Sequence, residues 1–295
     1  VARHVYIYFI DMIHPYPSIF YWSAALQVAM AVCLAPLASM AGDVSPAPAI
    51  GDCSLEDATP AIVVAVNADA FGGVEFLLDD GRRATLAGLD FPHPEPAKLQ
   101  AMSRWLTGKL VFVAPTALDR WGRFPSRLFA AAGSESSAPL MAVGAAAIEA
   151  GMARYRPDPA AAACRAPYLA AESEARAGHA GIWANPDLWP INADRPEAAA
   201  VLSQRKGLTL VEGVVRSVGM GSRAVYLNFG PRRAGDFTVV ISRRFSYNQP
   251  DSGFDPDKLI GRRVRVRGLV DSGRGPRVEI AGPEDIELVE AFSAP

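Results

Sequence analysis

Asp79-Asp80-Gly81 stands between two short apolar runs, residues 74–78 and 83–88, and that juxtaposition constrains the fold more than any other feature. An Asp-Gly step between strand-like runs signals a β-hairpin, because such turns need residues that tolerate positive φ. A third run, 61–66, precedes the pair across Gly72-Gly73, and two more, 110–114 and 124–131, follow. Between these groups Leu99, Met102 and Leu106 recur at helical spacing and end at Gly108. Alanine-rich helices are expected near 140–149 and 160–177. Five short strands and about three helices suit an OB-type barrel. The chain is expected to be mainly β with added helices.

Pro186, Pro190 and Pro196 then mark a break, and 191–204 reads as a linker. Beyond it the pattern is almost wholly strand-like, with runs at 208–218, 224–229, 237–241, 263–270 and 277–280. Val264, Val266 and Gly268 alternate with Arg263, Arg265 and Arg267, which is period two with one apolar and one basic face. Residues 205–290 are predicted to form a second, small all-β barrel, for which an OB-like fold is one form. The whole chain carries a net charge of −2, but 205–290 holds fifteen Lys and Arg against eleven Asp and Glu. That mild excess permits phosphate contacts without requiring them. OB-type barrels bind single strands through basic grooves and aromatic stacking. Arg263, Arg265 and Arg267, with Arg243, Arg244 and Tyr247 in a long loop, are the candidate parts. The alternative is an ordinary solvated strand face.

Residues 19–37 contain no charge, and Ser39-Met40-Ala41 follows as a small-x-small pattern. This is the grammar of a secretory signal within residues 1–41, with a membrane anchor as the alternative. Either places the body of the protein, after a linker at 42–59, in the periplasm or outside the cell. Export changes how the cysteines read. Cys33 falls in the signal, leaving Cys53 and Cys164, and two cysteines in an oxidising compartment suggest one disulfide. Two buried thiols are the other reading.

Four segments, in order, resemble the staphylococcal-nuclease-like (thermonuclease) family: Ala84-Thr85-Leu86-Ala87-Gly88-Leu89-Asp90-Phe91-Pro92, Asp119-Arg120-Trp121-Gly122-Arg123, Glu149-Ala150-Gly151-Met152-Ala153, and Glu172-Ser173-Glu174-Ala175-Arg176 with Gly181-Ile182-Trp183. The resemblance covers residues 60–190 and implies an OB barrel with added helices. Active members use Ca2+ to hydrolyse phosphodiester bonds in DNA or RNA. It matches Asp69 and Asp90 to metal carboxylates, the Phe91 carbonyl to a third ligand, and Arg123 to one of two catalytic arginines. Such chemistry needs a cation, donors for developing negative charge and a base that positions water. Asp69 and Asp90 as simple turn residues, and Arg123 as a partner of Asp119, are the structural alternatives.

The departures weigh against turnover. Thr85 stands where the family has its other arginine, and His93 where it has the water-positioning glutamate. Arg83, two residues earlier on the same strand face, and His93 are the candidates to restore function. A positioned base contributes roughly 10²–10⁴-fold and a charge-stabilising arginine on the order of 10³–10⁵. The expectation is therefore an exported, catalytically degenerate member that binds single-stranded nucleic acid or acts as a scaffold. An active calcium-dependent nuclease and an envelope protein-interaction module are the alternatives. No soluble small-molecule cofactor is indicated.

Overall fold

The computed structural model describes residues 53–69, 72–93, 95–133, 138–231, 235–242, 254–273 and 275–291. Residues 1–41, with their expected signal, therefore lie outside the described residues. The hairpin forms as its turn chemistry dictates. β2 (Val74–Leu78) and β3 (Arg83–Leu86) pair antiparallel, Gly81 takes φ 84°, and the Arg82 N–H donates to Asp80 Oδ1 at 2.9 Å. β1 (Thr59–Ala68) precedes them. Its register shifts between Val63 and Ala65, and this irregularity lets it serve two neighbours. The later half pairs with β2, and Thr59 to Ile62 pair with β5 (Leu110–Pro115). Short β4 (Leu89–Asp90) and helix α1 (Pro96–Leu106) intervene, and α1 buries Met102 and Leu106. β6 (Phe124–Ala131) runs antiparallel to β5 and parallel to β3, which closes the ring. Counted along the ring the five strands run 1-2-3-5-4-1, an OB-type barrel. β7 (Leu140–Ala142) extends β6.

Helix α2 (Val143–Glu149), strand β8 (Arg154–Tyr155) and helix α3 (Arg165–Ala177) pack on this barrel. Two glycines of the family-like segments have a packing reason. Gly151 at φ 64° and Gly181 at φ 51° lie back to back, so a Cβ on either would strike the other segment's backbone. Cys53 and Cys164 form a disulfide with Cα atoms 4.3 Å apart, tying the entry to β1 to the start of α3.

The stretch expected to be a linker is structured. It contains β9 (Ile191–Asn192), which pairs parallel with β10 (Leu208–Val214), and α4 (Ala198–Ser203), which buries Ala198 and Leu202 in the second core. The prolines there cap and turn the chain, but Ala198, Val201 and Leu202 carry helical spacing that the break signals masked. The run expected as one strand at 208–218 is two, because β10 and β11 (Ser217–Met220) are separated by a bend at Val215-Arg216. β11 pairs with β12 (Ala224–Asn228), and β12 with β13 (Thr238–Ser242). β13 runs parallel to β15 (Arg277–Ile280), and β15 and β10 both flank β14 (Arg263–Asp271). Taken with its bend, the β10–β11 strand closes the same 1-2-3-5-4-1 order. β16 (Glu287–Leu288) lies along β14.

A small cluster of Trp183, Trp189, Ile182, Ala175 and Leu210 packs α3 and its following turns against β10. Both barrels belong to one compact unit. Among the described residues no helix is long and apolar enough to cross a membrane.

Candidate functional site

At the open edge of the first barrel a pocket of about 330 Å³ gathers residues from four places in the sequence. Asp69 follows β1, Asp90 ends β4, Phe91 follows it, and Arg123 leads into β6; all four line the pocket with Thr85, Trp121 and Arg156. The strand ends converge because the barrel closes there, so residues far apart in sequence share one mouth.

The acids in this mouth are already engaged. Asp69 Oδ1 accepts the Gly73 N–H at 2.8 Å and closes the β1–β2 turn, while its Oδ2 receives Arg123 Nη1 at 2.8 Å. Arg123 Nε also donates to Asp119 Oδ2 at 2.9 Å, with the Arg123 and Trp121 N–H groups on Asp119 Oδ1. Burial alone would raise the Asp119 pKa, but these N–H donors and the Arg123 guanidinium outweigh it and hold the carboxyl below its usual range. Asp90 Oδ2 receives Arg154 Nε at 2.8 Å across the β4–β8 pair. The expected carboxylates, the Phe91 backbone and Arg123 are thus brought together, and each acid serves an arginine.

Calcium takes six to eight oxygens. Asp69 has both oxygens engaged and Asp90 has one held by Arg154. Among the described residues no group of three or more His, Cys, Asp or Glu side chains is placed to hold a metal ion. This donor set does not fit the ion without displacing two guanidinium groups.

The two candidates to restore catalysis stand differently. Arg83 shares the face of Thr85 and lies at the pocket's edge: it grips Glu75 at 2.6 and 3.1 Å and donates Nη1 to the carbonyl of pocket-lining Trp121 at 3.4 Å, without lining the pocket itself. His93 lines a separate pocket of about 250 Å³ at the junction of the two barrels. Besides Arg123, the cation that lines the pocket with Thr85 is Arg156, a residue outside the family-like segments. Its side chain is 52% exposed, and its ion pair to Asp158 is long at 3.8 Å. The signal for it was local: Arg154-Tyr155-Arg156 alternates after Gly151, and one arginine holds Asp90 while the other faces the pocket.

The basic face predicted for β14 is largely buried: Arg265 and Arg267 are enclosed and Arg263 is partly covered. Arg265 sits directly across the ladder from Glu212 and donates to it at 2.6 Å, with Glu287 on its other side at 3.1 Å. Arg267, 1% exposed, bonds Glu172 of α3 at 2.8 Å, Glu287 at 2.5 Å and the Tyr155 carbonyl at 3.0 Å. Arg263 bonds Asp194 at 2.6 Å. The alternation was real, but α3, β10 and β16 cover the basic side with carboxylates. Arg267 ties the second barrel to α3 and β8 of the first, Arg263 and Arg265 are paired within the second, and the three offer no open groove. Arg243, Arg244 and Tyr247 lie outside the described residues. Glu172 and Arg176 of the fourth family-like segment belong to this network, with Arg176 Nη1 at 3.1 Å from Glu172 and its guanidinium over the Trp183 ring.

No protein-family model matches this sequence, and no curated protein matches it either. The fold and the site together define a tandem pair of OB-type barrels whose open-edge pocket pairs both of its acids with arginines.

Proposed function

We propose that this is an exported, thermonuclease-like protein that binds single-stranded nucleic acid and does not cleave it by a calcium-dependent route. One observation carries the reading: the pocket that gathers Arg123, Arg156 and a half-exposed indole has its two acids, Asp69 and Asp90, engaged by arginines. Trp121 is 43% exposed, with the Arg120 guanidinium 4.3 Å from its ring centroid and Arg123 at 5.0 Å. It is therefore a rim residue and no core anchor. Base stacking on such a ring contributes about 1–3 kcal/mol per base, and a guanidinium suits a phosphate held in two places. The Cys53–Cys164 disulfide supports an oxidising compartment.

The test is cleavage and binding by the purified protein, using single- and double-stranded DNA and RNA with excess calcium and a chelator control. The expected result is no calcium-stimulated cleavage above an Asp90→Ala, Arg123→Ala double variant. Oligonucleotide binding should weaken roughly 5- to 150-fold in Trp121→Ala, which is the stacking contribution converted. Calcium-dependent turnover that the double variant lacks would overturn the degenerate reading. Absence of any binding would overturn the nucleic-acid reading.

A further inference from the structure

The first barrel's pocket does not end at its own wall. Asp90 lines it, and Asp90 equally lines the junction pocket, so one residue separates two adjoining concavities of about 330 and 250 Å³. The link between them is well anchored. Arg154, with a side chain only 5% exposed, donates Nε to Asp90 and Nη2 to the Leu208 carbonyl at 2.6 Å. The first residue of β10 is therefore fastened to the acid at the end of β4. Immediately before it Gly207 adopts φ 74°, a left-handed turn, and this turn sets Arg205 and Lys206 on the wall of the junction pocket.

The chemistry of this second concavity complements that of the first. Trp189, Leu188, Ile191 and Leu208 give it an apolar lining, and His93 lies on its first-barrel side. Lys206 is exposed and makes no ion pair among the described residues. Arg205 faces Asp187 at 3.9 Å, and that carboxylate is mostly in water, so the pair is weak and screened. Across both pockets Arg123, Arg154, Arg156, Arg205 and Lys206 line the walls with Asp69, Asp90 and Asp187, while Asp119 and Asp158 offset Arg123 and Arg156 from outside the lining, so the lightly paired charge is that of Lys206 and Arg205. An apolar floor with cations on its rim suits an unpaired base and its flanking phosphates.

We propose that the two pockets form one track for a single-stranded nucleic acid, in which the second barrel supplies downstream phosphate contacts through Lys206 and Arg205. The track rests on the proposed function, in which the first pocket binds such a strand. It gives the second barrel a function that its buried β14 arginines cannot perform.

Binding of a labelled four-nucleotide and a labelled twelve-nucleotide oligothymidylate would test it, since OB-type barrels cover about 4–16 nucleotides each. The variants are Lys206→Ala, the Arg205→Ala, Lys206→Ala pair, and Lys258→Ala as a charge-matched control on an exposed turn of the same barrel. The longer strand is expected to bind more tightly than the shorter. The pair of substitutions should weaken only the longer one, reducing its log–log salt slope by about 0.7 for each phosphate that is no longer neutralised. Lys258→Ala should change neither. If Trp121→Ala weakens both strands while the Arg205 and Lys206 changes weaken neither, the strand stops at the first barrel and the track is wrong. If neither oligonucleotide binds the unaltered protein, the underlying nucleic-acid function fails and the track with it.

Discussion

Arg267→Ala is expected to destabilise the folded protein by about 3–5 kcal/mol, the usual cost of removing one partner from a buried ion pair. Arg267 is enclosed by Glu172, Glu287 and the Tyr155 carbonyl, all within 3.1 Å. Removing its guanidinium leaves the Glu172 carboxylate, itself 1% exposed, with only Arg176 and the Tyr155 N–H. At roughly 2–4 °C per kcal/mol for a chain of this size, the melting temperature should fall by roughly 6–20 °C. The loss comes from stranding a charge, so Glu172→Gln combined with Arg267→Met should cost less than the sum of the two single changes. An Arg267→Ala protein within about 1 kcal/mol of the parent in denaturant unfolding would show that the network is not structural.

The same network predicts an acid limb. Burial alone would raise the Glu172 pKa, but the charges and hydrogen bonds of Arg267, then Arg176 and the Tyr155 N–H, leave it below the ordinary value of 4.5. A depressed folded pKa contributes stability that is fully present above the unfolded value, and the contribution is lost as pH falls through the folded one. Stability should therefore drop on acidification below about pH 4.5, and Glu172→Gln should flatten that fall. An unchanged acid limb in this variant would assign it to other carboxylates.

Breaking the Cys53–Cys164 disulfide is the other large effect. The bond spans a sequence separation of 111 residues, for which chain entropy predicts about 4–5 kcal/mol. Both cysteines are fully buried, one ahead of β1 and the other at the start of α3. Reduction under unfolding conditions, or Cys53→Ala with Cys164→Ala, should lower the unfolding midpoint accordingly. Proteolysis of the relaxed form should begin near residues 53–58, where only sparse hydrogen bonds, such as Arg127 to the Glu56 carbonyl, hold the backbone. Equal stability of the oxidised and reduced forms would mean that the cross-link adds no stability, against the chain-entropy expectation.

Much of the first barrel was legible because its signals are local. Asp79-Asp80-Gly81 sets a turn whatever surrounds it, and the runs at 74–78 and 124–131 coincide with β2 and β6. Asp69, Asp90 and Arg123 were grouped by what the resemblance implied, and the structure brings them to one pocket because strand ends meet at one edge when the barrel closes. The Cys53–Cys164 bond was one of two readings the sequence left open, beside two buried thiols, and the structure shows the bond. What failed were statements about what covers a face. Period two said correctly that Arg263, Arg265 and Arg267 share a side of β14, but a strand's alternation carries no information about the element that packs on it. Glu172 lies 95 residues from Arg267, and it is α3 folding against the second barrel that turns an apparently basic surface into a buried, neutralised one. The cations near Thr85 show the same limit. Strand alternation pointed to Arg83, which reaches the pocket's edge at the Trp121 carbonyl, but gave no sign of Arg156, which reaches the pocket through the β4–β8 pair, whose Asp90 and Arg154 are 64 residues apart. Local residue order was enough to say where the chain turns and which residues lie on the same side of each strand. Which charges meet was left to the packing of the two barrels, because electrostatic partners are set by distance in space and not along the chain.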